Sequence, residues 1–337
     1  MQTDRNTHRA FRIHRDDRGH HAGIEVLPRP EPGAGEVLVR LSHSSVNYKD
    51  ALAGTGRGKI LKTFPLVGGI DGAGVVEESG DARYREGDAV LATGWGLSFD
   101  HDGAYAGYLC CPADWLVPAP PGLDPRSAMI LGTAGLTAAL AVHRMQVNGQ
   151  RPELGPVLVT GASGGVGSLA IAILTRLGYA VAAVSGKPAL GDWLRSLGAS
   201  QVLGREALAD ATRPLEQARW GGAIDSVGGE LLAQITRTVV PNGNIAAVGL
   251  AGGHELHTTV MPFILRGVSL LGCNSVDIPP PLRAELWARL AGDWRPSDLE
   301  TVLTETIDLE GLPGAFERML AGETHGRLLA RTSKGCP

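Results

Sequence analysis

Two textures of apolar and polar positions divide the chain. Over the first third the apolar runs are short and interrupted. Glu36-Val37-Leu38-Val39-Arg40-Leu41 alternates in part, and Gly74-Val75-Val76-Glu77 and Asp88-Ala89-Val90-Leu91-Ala92 have strand character as well. Pro28, Pro30, Pro32, Gly80 and Gly87 punctuate them as turn residues do. Short strands separated by turns predict an antiparallel, barrel-like β domain, ending near Val117-Pro118-Ala119-Pro120-Pro121-Gly122.

From Ser127 to about His143 an alanine- and leucine-rich stretch predicts a helix, and a loop from Asn148 to Pro156 follows it. Beyond that loop strand-like and helix-like segments alternate. Val157-Leu158-Val159-Thr160 reads as a buried strand. The segment from about Val166 to Leu177 is apolar on nearly every side and stops at Gly178, as a helix does at its C-terminus. Ala180 to Val184 predicts a second strand and Leu190 to Leu197 a second helix. Further strands are expected at 201–203, 223–227, 244–248 and 269–272. Alternating strands and helices imply a doubly wound parallel sheet. The tail carries a helix at 312–320 and a last strand at 327–330, expected to return to the first domain. The fold class is therefore α/β. A β-barrel-type domain (residues 1–128 and 297–337) precedes and follows a Rossmann domain (129–296).

Composition narrows the function classes. The 337 residues include 31 basic and 35 acidic side chains and no basic block, so nucleic acid is not an expected partner. Cys110, Cys111, Cys273 and Cys336 form no CxxC pair, which argues against a disulfide framework and a zinc knuckle. The polar start Met1-Gln2-Thr3-Asp4-Arg5-Asn6-Thr7-His8 has no apolar core of a leader peptide. No run of about 18 uninterrupted apolar residues predicts a membrane span. A cytoplasmic address is expected.

The chemistry centres on Thr160-Gly161-Ala162-Ser163-Gly164-Gly165-Val166-Gly167, between a predicted strand and a predicted helix. There, glycines let the chain turn tightly and bring backbone N–H groups to a dinucleotide pyrophosphate. An NAD site usually ends its second strand in Asp or Glu, which takes the adenine ribose hydroxyls. This strand ends in Ser185-Gly186-Lys187. A hydroxyl and an ammonium suit a 2′-phosphate, which a carboxylate would repel, so NADPH is the expected cofactor.

Here the sequence resembles the medium-chain dehydrogenase/reductase superfamily. Within it, the chain is similar to the acrylyl-CoA reductase group of NADPH-dependent, quinone-oxidoreductase-like proteins. The resemblance is carried by Ser45-Val46-Asn47-Tyr48-Lys49-Asp50, Gly69-Ile70-Asp71-Gly72-Ala73-Gly74, Thr93-Gly94-Trp95-Gly96 and Gly132-Thr133-Ala134-Gly135. The glycine turn and Thr258 to Arg266 add to it. It implies a GroES-like catalytic domain beside the Rossmann domain. Zinc-dependent members have a cysteine ligand in the first motif and a His-Glu pair in the second. Here those places hold Asn47 to Asp50 and Ile70-Asp71, which predicts a zinc-free reductase.

The resemblance implies the reduction of acrylyl-CoA to propionyl-CoA, with hydride added at Cβ and a proton at Cα. An activated alkene needs only hydrogen-bond donors for the enolate oxygen. The catalytic candidates it implies are Tyr48, Asn47 and Arg327, the last as an enolate or phosphate partner. It further implies cofactor contacts from Tyr48, Ser163, Gly164, Gly165, Val166, Ser185, Gly186, Lys187, Arg205, Leu250, Ile264 and Ser275. Where some relatives have asparagine near the last strand, Gly322 offers no side chain. Asp71, without a metal, is expected to pair with a cation such as Lys49. The basic run Arg57-Gly58-Lys59-Ile60-Leu61-Lys62 is a candidate rim for the CoA phosphates. An apolar edge strand at 268–272 predicts a homodimer. A quinone or free enone or enal reductase, and a non-catalytic NADPH-binding protein, are the alternatives.

Overall fold

A computed structural model describes residues 6–208 and 213–333, so Met1 to Arg5 and Cys336 lie outside the described residues. The chain forms two compact units. The first takes the chain up to Thr133, Val276–Ala291 and everything from Leu303 onward, and the second takes Ala134–Ser275 with Gly292–Val302. The first division thus falls at Thr133 rather than at 128. Val276–Ala291 joins the first unit, where the sequence placed it in the second. The reason is burial: Arg283, 1% exposed, donates Nη1 to the Thr93 carbonyl at 2.6 Å and lays its guanidinium over the Trp95 ring.

In the first unit, β1 (Thr7–Asp16) forms a long antiparallel hairpin with β2 (Gly19–Pro28) and also pairs with β4 (Leu66–Val67). A second, seven-stranded sheet is built around β3 (Glu36–Val46) and β5 (Asp71–Ser79). It continues through β6 (Ala89–Thr93) to β8 (Leu116–Pro118), while β7 (Tyr108–Pro112) pairs with β3. On the other side of β3 lie β16 (Arg327–Arg331) and then β15 (Leu303–Asp308), so the last strand does return to the first unit. Helix α1 (Tyr48–Thr55) leaves the end of β3 and packs on α8 (Leu312–Leu320). Their approach is close: a Cβ on Gly54 would fall 2.4 Å from the Phe316 ring.

The second unit is a six-stranded parallel sheet. Its order is β11 (Gln201–Leu203), β10 (Val181–Val184), β9 (Val157–Thr160), β12 (Trp220–Asp225), β13 (Val239–Ala247) and β14 (Ser269–Gly272). Every residue of β9, β10 and β12 is buried, which is why β9 and β10 show no alternation of apolar and polar positions. Helix α3 (Gly165–Arg176) follows β9, α4 (Gly191–Ser196) follows β10 and α5 (Gly229–Thr238) follows β12. Strand β12 stops at Asp225 rather than 227, because Ser226 and Val227 enter a turn.

The long helix α2 (Pro125–Val147) is interrupted at Gly132, whose φ of 51° and ψ of −156° are not helical. By length and composition α2 alone among the described residues is apolar enough to cross a membrane, but 83% of its most apolar stretch is buried in the fold. It is a core helix.

Candidate functional site

In the second unit the glycine turn follows directly from β9. Gly161 has φ of 56°, a left-handed value that costs a side-chain-bearing residue dearly. Gly167, in the first turn of α3, has no room for a side chain: a Cβ there would sit 2.4 Å from the Gly161 carbonyl oxygen. Gly164 stands in extended conformation at the N-terminus of α3, and no side chain caps the helix there. Its first N–H groups and dipole are thus left for an anion.

The end of β10 assembles the second part of this face. Ser185 and Ser163, both largely buried, place their hydroxyl oxygens 3.3 Å apart, and the Lys187 N–H donates to the Ser185 hydroxyl at 3.1 Å. The Arg205 guanidinium lies about 3 Å from where a Cβ on Gly186 would project, so glycine is what lets it rest on that turn. Burial pulls the Lys187 ammonium below its ordinary pKa. Ser163, Ser185, Gly186, Lys187 and Arg205 are therefore brought together. Leu250 and Ile264 are 67% and 73% exposed. The Leu250 backbone packs against Gly228, and Ser275 accepts a hydrogen bond from Thr137 at 2.8 Å.

The first unit holds a different feature, a buried polar cluster under the start of α1. Asp71 accepts from the Ser45 N–H at 2.9 Å, the Ser45 hydroxyl at 2.7 Å and the Thr133 N–H at 2.8 Å. Asp50 accepts the Ile70 N–H and the Asn47 N–H, each at 3.0 Å. The Asn47 side-chain amide donates to Asp50 at 3.0 Å, Ser45 at 3.1 Å and Asp71 at 3.2 Å. Arg327, 2% exposed, donates Nε to the Ile130 carbonyl at 2.9 Å and Nη1 to the Asn47 side-chain oxygen at 3.4 Å. Arg327 Nη2 and Asp71 Oδ2 each lie about 3 Å from the point where a Cβ on Gly132 would fall. The cation facing Asp71 is therefore Arg327 and not Lys49, whose ammonium sits over the Phe99 ring. Burial, and then the neighbouring Asp71 carboxylate, push the Asp50 carboxyl up to about 7.

This cluster redefines two expected roles. The Asn47 amide hydrogens are engaged inside the network, leaving none for a thioester oxygen. Arg327 is sealed from solvent, so a contact to a CoA phosphate is closed to it; its Nη2 has no partner among the described residues. Tyr48 is 47% exposed, the most exposed side chain of the first motif. Of the basic run, Arg57 is paired with Glu317 at 2.7 Å and Lys62 lies 3.7 Å from Asp100, while Lys59 is exposed. Cys111 is buried and Cys110 half-buried in β7, as expected of packing residues.

Comparison with known proteins places these features in a family. Residues 33–121 match the family described as alcohol dehydrogenase GroES-like domain, and residues 165–291 the one described as zinc-binding dehydrogenase. The acrylyl-CoA reductase AcuI of Ruegeria pomeroyi is 47% identical over 309 residues, 91% of this chain and 93% of the relative. The chain belongs to the medium-chain dehydrogenase/reductase superfamily. Among superfamily structures, the yhdH oxidoreductase of Salmonella enterica in complex with NADP superposes with a TM-score of 0.92. It has 47% identity and covers 96% of this chain and 99% of that one. The Bacillus subtilis protein yhfP with NAD bound superposes at 0.93, with 41% identity over 96% of this chain and 99% of that one.

Asn47, Asp50 and Asp71 are all engaged in the hydrogen bonds of this cluster. Among the described residues no group of three or more His, Cys, Asp or Glu could hold a metal ion. Asp50, three residues after Asn47, forms the second half of a capping box at the start of α1, and that spacing is the sequence signal for its role. The Tyr105 phenol donates to the Ser45 carbonyl at 3.0 Å, a contact between residues 60 positions apart that no local pattern marks.

Proposed function

We propose that this superfamily member uses NADPH to reduce the activated C=C bond of acrylyl-CoA, giving propionyl-CoA and NADP⁺. The observation that carries the substrate is the 47% identity to a named acrylyl-CoA reductase across 91% of the chain. The cofactor reading is supported by the hydroxyl and cationic groups of Ser185, Lys187 and Arg205, with no carboxylate ending β10. It is supported also by the NADP bound to the Salmonella relative.

The residues present fit the dinucleotide: glycines at 161 and 167 that exclude side chains, an uncapped helix start at Gly164, and hydroxyls at 163 and 185. Bound NADPH supplies a hydride for the substrate Cβ. Gly164, Gly165 and Val166 offer backbone N–H groups to the pyrophosphate, and Lys187 and Arg205 hold the 2′-phosphate. Leu250, Ile264 and Ser275 are assigned to the nicotinamide side. Tyr48 is the accessible hydroxyl for a cofactor or substrate contact and for relaying the proton to Cα. Asn47 and Arg327 fix the start of α1 that presents Tyr48. Zinc has no part in this reading, and stoichiometric zinc in chelator-treated protein would oppose it. Lys59 remains the candidate CoA contact, and the edge strand β14, with Leu270 37% exposed, supports a homodimer.

Two measurements test the proposal. In a side-by-side assay of NADPH absorbance, acrylyl-CoA is expected to be turned over faster than a short quinone; the reverse order would favour a quinone reductase. Tight NADPH binding without turnover of any enal or enoyl-CoA would favour a binding protein. Lys187→Glu places a carboxylate against the 2′-phosphate and is expected to weaken NADPH roughly 10–100-fold with NADH almost unchanged, as fluorescence titration would report. Equal binding of NADH and NADPH by the unaltered protein would overturn the cofactor reading.

A further inference from the structure

The parallel sheet changes direction of growth between β9 and β12, and at their ends lies a pair of buried groups that the proposed function does not use. In a doubly wound sheet the ligand crevice opens at the C-terminal ends of the two strands flanking such a reversal. Strands β9 and β12 pair in register up to Val159 and Ile224, so Thr160 and Asp225 are the next residues of each, both at 0% exposure. The Thr160 hydroxyl donates to Asp225 Oδ1 at 2.5 Å, and it accepts the Ser226 N–H at 3.1 Å, which fixes the direction of its own proton. Asp225 Oδ2 accepts the Gly228 N–H at 2.7 Å, and Oδ1 accepts the Val227 N–H at 3.4 Å. Asp225 acts as acceptor in every one of these bonds. That is the pattern of an ionised carboxylate.

Among the described residues no charged group offsets that carboxylate: burial raises its pKa, and only the bonds from Thr160, Gly228 and Val227 oppose the rise. Its bonds hold two turns at once. Thr160 leads into Gly161, where a Cβ would fall 3.3 Å from Ser226 Cβ, and Gly249 approaches Ser226 so closely that a Cβ would meet the Ser226 carbonyl at 2.5 Å. The Ser226 hydroxyl oxygen, buried between them, has no hydrogen-bond partner. The floor of the crevice thus holds a carboxylate with three donors and no counter-ion beside a spare hydroxyl.

We infer that Asp225 is a positioning residue whose uncompensated charge biases the crevice toward the oxidised, cationic form of the nicotinamide cofactor. This rests on the dinucleotide reading of the site. The neutral reduced ring gains nothing from the charge, whereas the ring that has given up its hydride does. The field of Asp225 therefore favours the departure of hydride, and Thr160 and the 226–228 turn keep the carboxylate aimed and ionised.

The test separates charge from shape. Dissociation constants for NADP⁺ and NADPH are measured by calorimetry on the whole protein and on Asp225→Asn, which keeps the size of the side chain. The expected result is that NADP⁺ weakens about 3–10-fold more than NADPH, as the loss of one nearby charge at intermediate dielectric requires. Thr160→Val, which removes the latch and leaves the charge, is expected to weaken both forms to a similar degree. Equal weakening of both forms in Asp225→Asn, or no change, would overturn the inference. Failure of the unaltered protein to bind either form would instead overturn the dinucleotide reading. If Asp225→Asn does not fold, the ratio of the NADP⁺ to the NADPH dissociation constant of the unaltered protein decides, rising as acid protonates Asp225; a flat ratio overturns the inference.

Discussion

Replacing Arg327 by methionine will destabilise the protein by about 3–5 kcal/mol, the usual cost of removing one partner from a buried charged group. The loss has three parts. Asp71, at 0% exposure, loses the cation that faces it, the Ile130 carbonyl loses its donor, and the Asn47 side chain loses the contact that orients it. Methionine fills most of the volume, so the effect reports charge and hydrogen bonding rather than a void.

The loss will also depend on pH, in a direction set by Asp50. Its carboxyl sits at about 7 in the folded protein, above the value near 3.9 of an unfolded chain. A raised folded value means that the folded state holds a proton which the unfolded chain releases. The stability gained from that proton is complete below about 4 and is lost as pH rises through 7. Without Arg327 the Asp50 carboxyl rises further and the penalty at high pH grows. Urea denaturation at pH 5.5 and pH 8.5 should therefore show the larger deficit at pH 8.5. Equal deficits below about 1 kcal/mol at both would mean that the guanidinium is not the counter-ion of the cluster.

How much of this was legible depended on the kind of signal. The strand at 157–160 and the helix at 312–320 were read with their observed bounds, because a strand buried on both faces and an amphipathic helix leave periodic traces. The hairpin of β1 and β2 was not read. Its sequence, Thr7 to Asp16 and Gly19 to Pro28, is half-exposed and crowded with Arg, His and Asp, so alternation is lost beneath charge. Helix α1 was missed because eight residues rich in alanine and glycine carry almost no pattern.

The sites follow the same logic. The grouping of Ser185, Gly186, Lys187 and the glycine turn, proposed to take the cofactor phosphates, was legible because each part is local to one strand end. The partner of Asp71 was not. Arg327 joins the cluster from 280 positions beyond Asn47, and only the pairing of β16 with β3 brings it there. Thr160 and Asp225 lie 65 residues apart and meet through strand register, which a single sequence does not announce.

Gly167→Ala will abolish measurable NADPH binding while leaving most of the fold intact. The added methyl carbon would stand 2.4 Å from the Gly161 oxygen and 2.8 Å from the Ala162 Cα, both backbone atoms with no flexible end to swing aside. The clash can be relieved only by moving the start of α3 away from the end of β9, and that displacement carries the backbone N–H groups away from the pyrophosphate position. Overpacking of this kind costs roughly 1–3 kcal/mol, too little to unfold a chain with two extensive cores. The affinity loss should exceed about 100-fold, because several charge-assisted hydrogen bonds depend on one backbone geometry. Gly314→Ala is the control. It sits inside α8 with nothing within 4 Å of its Cβ position, and alanine there should add up to about 1 kcal/mol of helix stability without touching cofactor affinity. If Gly167→Ala bound NADPH as tightly as Gly314→Ala, the turn would be a structural joint and the cofactor would have to be held elsewhere.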